Sequence, residues 1–347
     1  GLTASRDGTT YWFCSALCKR QFEEHPDRFA GSTRLGAPAP SALPPRIAYF
    51  SMEIALESNV PTYSGGLGVL AGDTLRACAD ACIPIVGRTL VHRRGYFNQD
   101  LDKWGNQTHG PDAWDPGQHA SALDPEVSVS INGRTVRIRA WRYTITGQSG
   151  WKLPVILLDT DVSDNHVDDR RITDHLYGGD ERYRLMQETV LGIGGVRMLR
   201  ALGFGEIGCY QMNEGHSSML VAELLREVRD AGTDSWDFKH VRQQCVFTTH
   251  TPVPAGHDKY PWPLVEQVLT EPVDFSLLRM LGGDDQLNMT LLGLNASHYV
   301  NGVAKRHAEV SRRMFPAYPI DSVTNGVHAA TGTSDSFRTL YDRHIPG

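Results

Sequence analysis

The chain has 347 residues, 40% of them hydrophobic, enough for a sizeable core in one large domain or two ordinary ones. Its 34 Lys+Arg against 40 Asp+Glu leave a net charge of −6, which argues against a general nucleic-acid or anionic-membrane binder. No run approaches the ~20 apolar residues of a membrane span.

Six cysteines (Cys14, Cys18, Cys78, Cys82, Cys209 and Cys245) are too sparse for a disulfide scaffold. With no signal-peptide pattern at the start, a reducing cytoplasm is the expected compartment. Gly1 at one end and Ile345-Pro346-Gly347 at the other read as cuts in a longer chain.

In chain order, residues 1–31 form a small cysteine-bearing unit. Cys14 and Cys18 sit in Tyr11-Trp12-Phe13-Cys14-Ser15-Ala16-Leu17-Cys18, ahead of Phe22, Pro26 and Phe29. Two thiolates are half of a structural metal site. Residues 32–45 are a Pro/Ala-rich linker without periodicity.

From Arg46 onward apolar strands alternate with long helices. The pattern predicts strands at 46–53, 84–92, 153–159, 207–212, 245–249 and 320–324. Helices are expected near 66–82, 176–202, 215–230 and 289–313. Residues 127–145 alternate around Asn132-Gly133, a hairpin signal. Such alternation implies an open, mostly parallel α/β sheet with helices on both faces, whose ligands bind at the carboxyl ends of its strands.

The first motif lies at such an end. Tyr63-Ser64-Gly65-Gly66-Leu67-Gly68-Val69-Leu70-Ala71-Gly72 follows the apolar run 47–54 and opens a helix. Glycine allows close backbone approach, and the helix start aims free N–H groups at an anion or sugar oxygen. The run Gly66-Leu67-Gly68-Val69-Leu70-Ala71 also fits a dinucleotide fingerprint, but no acidic residue follows at the required distance. A plain structural turn is the bland reading.

Two further strands end in polar clusters. Tyr210-Gln211-Met212-Asn213-Glu214-Gly215-His216 opens a helix that Asn213 is placed to cap, with Glu214 and His216 projecting toward the cleft. After Cys245-Val246-Phe247-Thr248-Thr249 comes His250-Thr251-Pro252-Val253-Pro254-Ala255-Gly256-His257-Asp258, an unusual loop whose imidazoles and hydroxyls suit a polyhydroxylated substrate. The segment 295–303 breaks a long helix, and Thr324-Asn325-Gly326-Val327-His328 closes the last strand. Cys78 and Cys82, spaced i, i+4, read as a packing surface on one helix face.

Together these runs carry a resemblance. Residues 46–347 are similar to the amino-terminal half of the α-glucan (glycogen, starch, maltodextrin) phosphorylases, in particular the shorter bacterial and archaeal type. The matching runs are Ala48–Glu53, Tyr63–Asp73, Gly95-Tyr96-Phe97-Asn98-Gln99, Asn213–His216, Thr248–Asp258, Asn301-Gly302-Val303-Ala304 and Thr324–His328. The family pattern carries a tryptophan after Ala329-Ala330-Thr331, where this chain has Gly332.

The resemblance implies a Rossmann-like first domain of a two-domain, GT-B-type glycosyltransferase. It implies that orthophosphate cleaves terminal α-1,4-glucosyl units with retention, giving glucose 1-phosphate, and that pyridoxal 5′-phosphate is required. Gly65 and Gly66 would face the phosphates, Gly66 and Tyr49 would contact the cofactor, and Leu67, Val303 and Asn325 would contact the glucosyl unit. His250 would hold that ring as charge develops at its anomeric carbon, and His216 would lie on the acceptor side. The cofactor lysine belongs to the family's second domain, so this chain alone is expected to turn nothing over. A homodimer is compatible with the resemblance.

Residues 1–31 are similar to the back half of a YHS (TRASH-like) metal-binding module, with Cys14 and Cys18 as the ligands it would supply. Rival readings are a glucan-active glycosidase with Glu214 as acid or base, a starch-synthase-like transferase, and a non-catalytic, metal-responsive glucan-binding protein.

Overall fold

A computed structural model describes residues 2–6, 9–13, 19–20, 23–24, 44–230 and 237–345. Cys14 and Cys18 and the greater part of the linker lie outside these residues. A short antiparallel hairpin joins β1 (Leu2–Arg6) and β2 (Thr9–Phe13). The main body begins with β3 (Ile47–Ser51), α1 (Gly66–Asp80) and β4 (Ile85–Leu90). Next come a small hairpin of β5 (Asn98–Leu101) and β6 (Gln107–Gly110), then β7 (Ser121–Ile131), β8 (Arg134–Thr146) and β9 (Lys152–Asp159).

The second half holds α2 (Glu181–Thr189), α3 (Gly195–Ala201), β10 (Cys209–Asn213), α4 (Leu220–Asp230), α5 (Phe238–Gln244) and β11 (Cys245–Thr249). It continues with β12 (Lys259–Pro261), α6 (Trp262–Val268), α7 (Phe275–Gly282), β13 (Gln286–Asn288) and α8 (Met289–Ala296). The last elements are β14 (Tyr299–Gly302), α9 (Lys305–Met314), β15 (Asp321–Ser322), α10 (Ala329–Gly332) and α11 (Asp335–His344).

Nine strands form one sheet in the order β15-β14-β11-β10-β3-β4-β9-β8-β7. Neighbours from β15 to β9 run parallel, and the β8–β7 hairpin adds an antiparallel edge. The expected α/β architecture is therefore what the chain adopts. The order grows one way from β3 through β4 and β9, and the other way from β10 through β11 and β14. A switch point thus falls between β3 and β10, where open α/β sheets bind ligands.

The core follows the two-residue period of the strands. Ala48 and Phe50 of β3 join a large cluster with Tyr210, Met212, Phe247 and the helices from α2 to α8. Tyr49 faces the other way, into a smaller cluster with Leu75, Leu153, Val155 and Leu157 beneath α1. Among the described residues no helix is long and apolar enough to cross a membrane.

Several boundaries differ from those predicted. The helix expected over 176–202 begins at Glu181, because the Asp180 carboxylate caps it through the Tyr183 amide at 2.9 Å, and a π-turn at Val190–Gly194 divides it. The helix expected from 215 begins as a 3-10 turn at Gly215–Ser217. The break in the 289–313 helix contains a strand, β14, which pairs with β11. Cys82 lies past the end of α1 with φ +55, so it does not share a helical face with Cys78; its Sγ lies 3.2 Å from Ser149 Oγ. Asn132 and Gly133 have φ +52 and +72, the two left-handed residues that a two-residue hairpin loop requires.

α1 packs against the chain just after β3 because Gly72 has no side chain: a Cβ there would press into the Ala55 carbonyl oxygen. Gly72→Ala is therefore expected to lower stability by about 1–3 kcal/mol, the usual cost of overpacking. Gly66→Ala should change it by less than about 0.5 kcal/mol, since a Cβ at Gly66 meets nothing within 4 Å. Urea denaturation of the two variants checks the contrast.

Candidate active site

The strand ends on either side of the switch point carry the polar groups. Asn213, buried at the end of β10, joins three segments. Its Nδ2 donates to Ser51 Oγ at 3.1 Å, and its Oδ1 lies 2.7 Å from His250 Nε2. An amide oxygen only accepts, so Nε2 carries the proton and Nδ1 the lone pair. Asn213 was expected to cap the following helix; instead Glu214 takes that position.

Glu214 is 4% exposed and adopts φ +75, ψ 169, a conformation that is essentially glycine's. Its Oε1 accepts from Gly215 N at 3.0 Å. Its Oε2 accepts from His250 N at 2.7 Å and from Thr251 N and Oγ1, both at 3.0 Å. Burial opposes ionisation, but His216, His250 and these amides outweigh it and hold the carboxyl below the usual range. A group so held is a fixed anion with its lone pairs occupied. It anchors the His250 loop and is poorly suited to donate a proton, which removes the main support for the glycosidase reading.

His250 itself is pushed down to about 4. Burial dominates, Glu214 opposes it, and His307 and His216 reinforce it. At neutral pH the ring is therefore uncharged.

Across the switch point, Glu53 does for the glycine turn what Glu214 does for the His250 loop. Glu53 is 3% exposed. Its Oε2 accepts from Ser64 N at 2.7 Å and Gly65 N at 3.1 Å, and its Oε1 accepts from Tyr177 Oη at 2.9 Å. Gly68 must lack a side chain because a Cβ would lie 2.7 Å from Glu53 Oε2. The Gly65 amide, expected to face an anion, is thus already taken.

The start of α1 nevertheless offers the next two. Gly65 is the N-cap, without a side-chain cap, so the Gly66 and Leu67 amides have no acceptor within the helix. Both glycines are exposed, neither has positive φ, and a Cβ at either would meet nothing. The fold does not require glycine at these two positions; an approaching ligand would.

His216 points inward. Its Nε2 lies 3.2 Å from Asp258 Oδ2, which also accepts from Arg184 at 2.7 Å. Burial works against ionisation of Asp258, yet His216 and Arg184 hold it well below the usual carboxylate range. Tyr177 packs on the His216 ring at 5.3 Å, which links this cluster to Glu53.

Tyr49, Val303 and Asn325 lie elsewhere. They line a groove of about 440 Å³ on one face of β3, β10, β11 and β14, with Leu70, Gln211 and Asn213. Asn325 N donates to Val303 O at 3.0 Å. The floor is tied across strands by Gln211 Nε2 to Thr248 Oγ1 (2.8 Å) and Thr248 Oγ1 to Asn301 Oδ1 (3.0 Å). The expected site residues therefore form two groups, one at the rim and one in the groove. Asn213 belongs to both.

Glu53, Tyr177, Asp258 and Arg184 carried no expected role, and Asn213 only that of a helix cap. The one signal in the sequence for Glu53 is an acidic residue in an otherwise apolar run, unusual unless it is paired. Among the described residues no group of three or more His, Cys, Asp or Glu side chains is arranged to hold a metal ion.

No family model matches the chain. Curated relatives do. Glycogen phosphorylase of Mycobacterium tuberculosis is 40% identical over 341 residues, covering 87% of this chain and 39% of the relative. Maltodextrin phosphorylase of Thermococcus litoralis is 36% identical over 321 residues (86% and 38%), and glycogen phosphorylase of Aquifex aeolicus 31% over 325 (86% and 46%). The chain spans less than half the length of these relatives. Over most of its length the chain is similar to these glycogen and maltodextrin phosphorylases.

Proposed function

We propose that residues 46–347 are the amino-terminal domain of an α-glucan phosphorylase, which transfers a terminal α-1,4-glucosyl unit to orthophosphate with retention. Domain and linker boundaries follow the sequence reading, with the cytoplasm as the compartment. One observation carries this reading. A glycine-bearing helix start with two free amides and an uncharged, doubly anchored His250 flank one topological switch point.

Each part suits the reaction. The Gly66 and Leu67 amides offer fixed donors to a phosphate oxygen, and fixed dipoles need no reorganisation as charge develops. His250 presents a hydrogen-bonding ring without positive charge, which suits a glucosyl carbon on which positive charge builds. Glu214 keeps the loop amides in place, and Asn213 holds the ring. Leu67, Val303 and Asn325 are the proposed glucosyl contacts, and His216 supports the acceptor side from within its Asp258 pair.

Pyridoxal 5′-phosphate, when bound, supplies a phosphate that shuttles a proton to the attacking orthophosphate. The residues present fit such a group, since a Cβ at Gly65 or Gly66 would meet nothing within 4 Å and the Gly66 and Leu67 amides have no acceptor within the helix. Gly66 and Tyr49 are the proposed contacts. Residues 1–31 are proposed as a YHS-like module with Cys14 and Cys18 as metal ligands, tested by zinc and copper binding in a chain extended upstream.

The test joins this chain to a cofactor-bearing phosphorylase second domain and follows products from maltoheptaose. Glucose 1-phosphate formed in strict dependence on orthophosphate is the expected result. Glucose released without phosphate contradicts it.

A further inference from the structure

Gly95-Tyr96-Phe97-Asn98-Gln99 has no role in the site described above, yet it stands beside that site. The segment leaves the carboxyl end of β4, the neighbour of β3. Gly95 makes the bend with φ +58, where a Cβ would also lie 2.8 Å from Pro61 Cβ and 3.0 Å from Asp112 Cβ. The bend is tied down by Gly95 N to His92 O at 2.9 Å and Leu176 N to Gly95 O at 3.0 Å. It delivers Tyr96 and Phe97 to the surface 43% and 37% exposed.

The two rings lie 4.4 Å apart, and His109 of β6 backs Phe97 edge-on at 5.2 Å. Both rings line a cavity of about 520 Å³ whose other walls include Tyr63 and Ser64, directly before the glycine turn. Asn98, Gln99 and Asp112 add amide and carboxylate groups to the same cavity.

From this arrangement we infer that the cavity is an outer subsite for the α-glucan chain, which binds glucosyl units beyond those at the Gly65–Leu67 turn. A pyranose ring has apolar C–H faces and a rim of hydroxyls. Aromatic rings beside convergent amide and carboxylate groups match that chemistry, and the volume falls in the range of small-ligand sites. Contiguity with Ser64 selects glucan over an unrelated ligand, because one chain passing the turn enters the cavity without a break. The inference rests on the phosphorylase reading and names how that site would grip a longer substrate.

The experiment titrates the 347-residue chain with maltotriose and with maltoheptaose by calorimetry, for wild type, Tyr96→Ala, Tyr96→Trp and Gln99→Ala. The expected result is tighter binding of maltoheptaose than of maltotriose. Tyr96→Ala should weaken maltoheptaose about tenfold and maltotriose less than twofold, Gln99→Ala should weaken maltoheptaose alone, and Tyr96→Trp should restore it. Length-dependent binding that ignores all three variants overturns the subsite and leaves the phosphorylase reading standing. Absence of binding to either glucan overturns both. Concentration-dependent dimerisation lost in Tyr96→Ala, with unchanged glucan affinity, would assign the rings to a protein contact and overturn the subsite.

Discussion

Glu214→Ala should lower the unfolding free energy by about 3–5 kcal/mol, the range for removing one partner from a buried charged network. The substitution strands three backbone amides and the Thr251 hydroxyl, all of which the carboxylate now satisfies. It also leaves a side chain at φ +75, a conformation that costs about 1–3 kcal/mol outside glycine. Glu214→Gly should therefore lose less than Glu214→Ala, because it relieves the strain while losing the same acceptor.

The effect has a defined pH dependence. The folded-state pKa of Glu214 lies below its unfolded value. Its contribution is complete above the unfolded pKa of about 4.3 and fades as pH falls through the folded value. Urea denaturation at pH 7 should show the full difference between wild type and Glu214→Gln. That difference should shrink steadily below about pH 4.

The second large effect has the opposite sign. Arg88, on the fully buried strand β4, is 0% exposed. None of its three guanidinium nitrogens has a hydrogen-bond partner among the described residues. Burial pulls its pKa down to about 9, so it still carries its charge at neutral pH. Its nearest compensation is the Phe50 ring, 5.8 Å from the guanidinium carbon. A cation–π contact is worth about 2 kcal/mol when desolvated, less than the several kcal/mol that an uncompensated buried ion costs.

Arg88→Met, similar in reach and without charge, should raise stability by about 1–4 kcal/mol. The urea midpoint should move up with an unchanged slope. A fall in stability would mean that the guanidinium has a partner the described residues do not supply.

The sequence showed what short-range backbone demands dictate. Asn132-Gly133 announced its hairpin because both positions need left-handed φ. The glycine turn was visible because it follows an apolar strand and opens a helix. What stayed hidden depends on strand order. Glu53 meets Ser64 and Gly65 over 11 and 12 residues, and Glu214 meets His250 and Thr251 over 36 and 37. The Glu214 contacts exist because β10 and β11 are adjacent, and the Glu53 contacts because the loop between β3 and α1 folds back on itself; no local pattern encodes either.

The same reason explains Arg88, which lies in a strand the sequence predicted at 84–92 but with no sign that both of its faces are closed. It also explains β14, four residues between two helical runs that become a strand by pairing with β11. The division of the expected site residues between rim and groove was likewise invisible, since it depends on which side of the sheet each residue faces.

The most direct test of the switch-point account is amide NMR of the chain titrated with glucose 1-phosphate, which carries both the hexose and the phosphate. The Gly66 and Leu67 amide resonances should shift together with that of His250, while the Gly65 amide, held by Glu53, stays nearly still. Shifts confined to the groove around Tyr49 and Asn325, with the Gly66 and Leu67 amides unmoved, would contradict it.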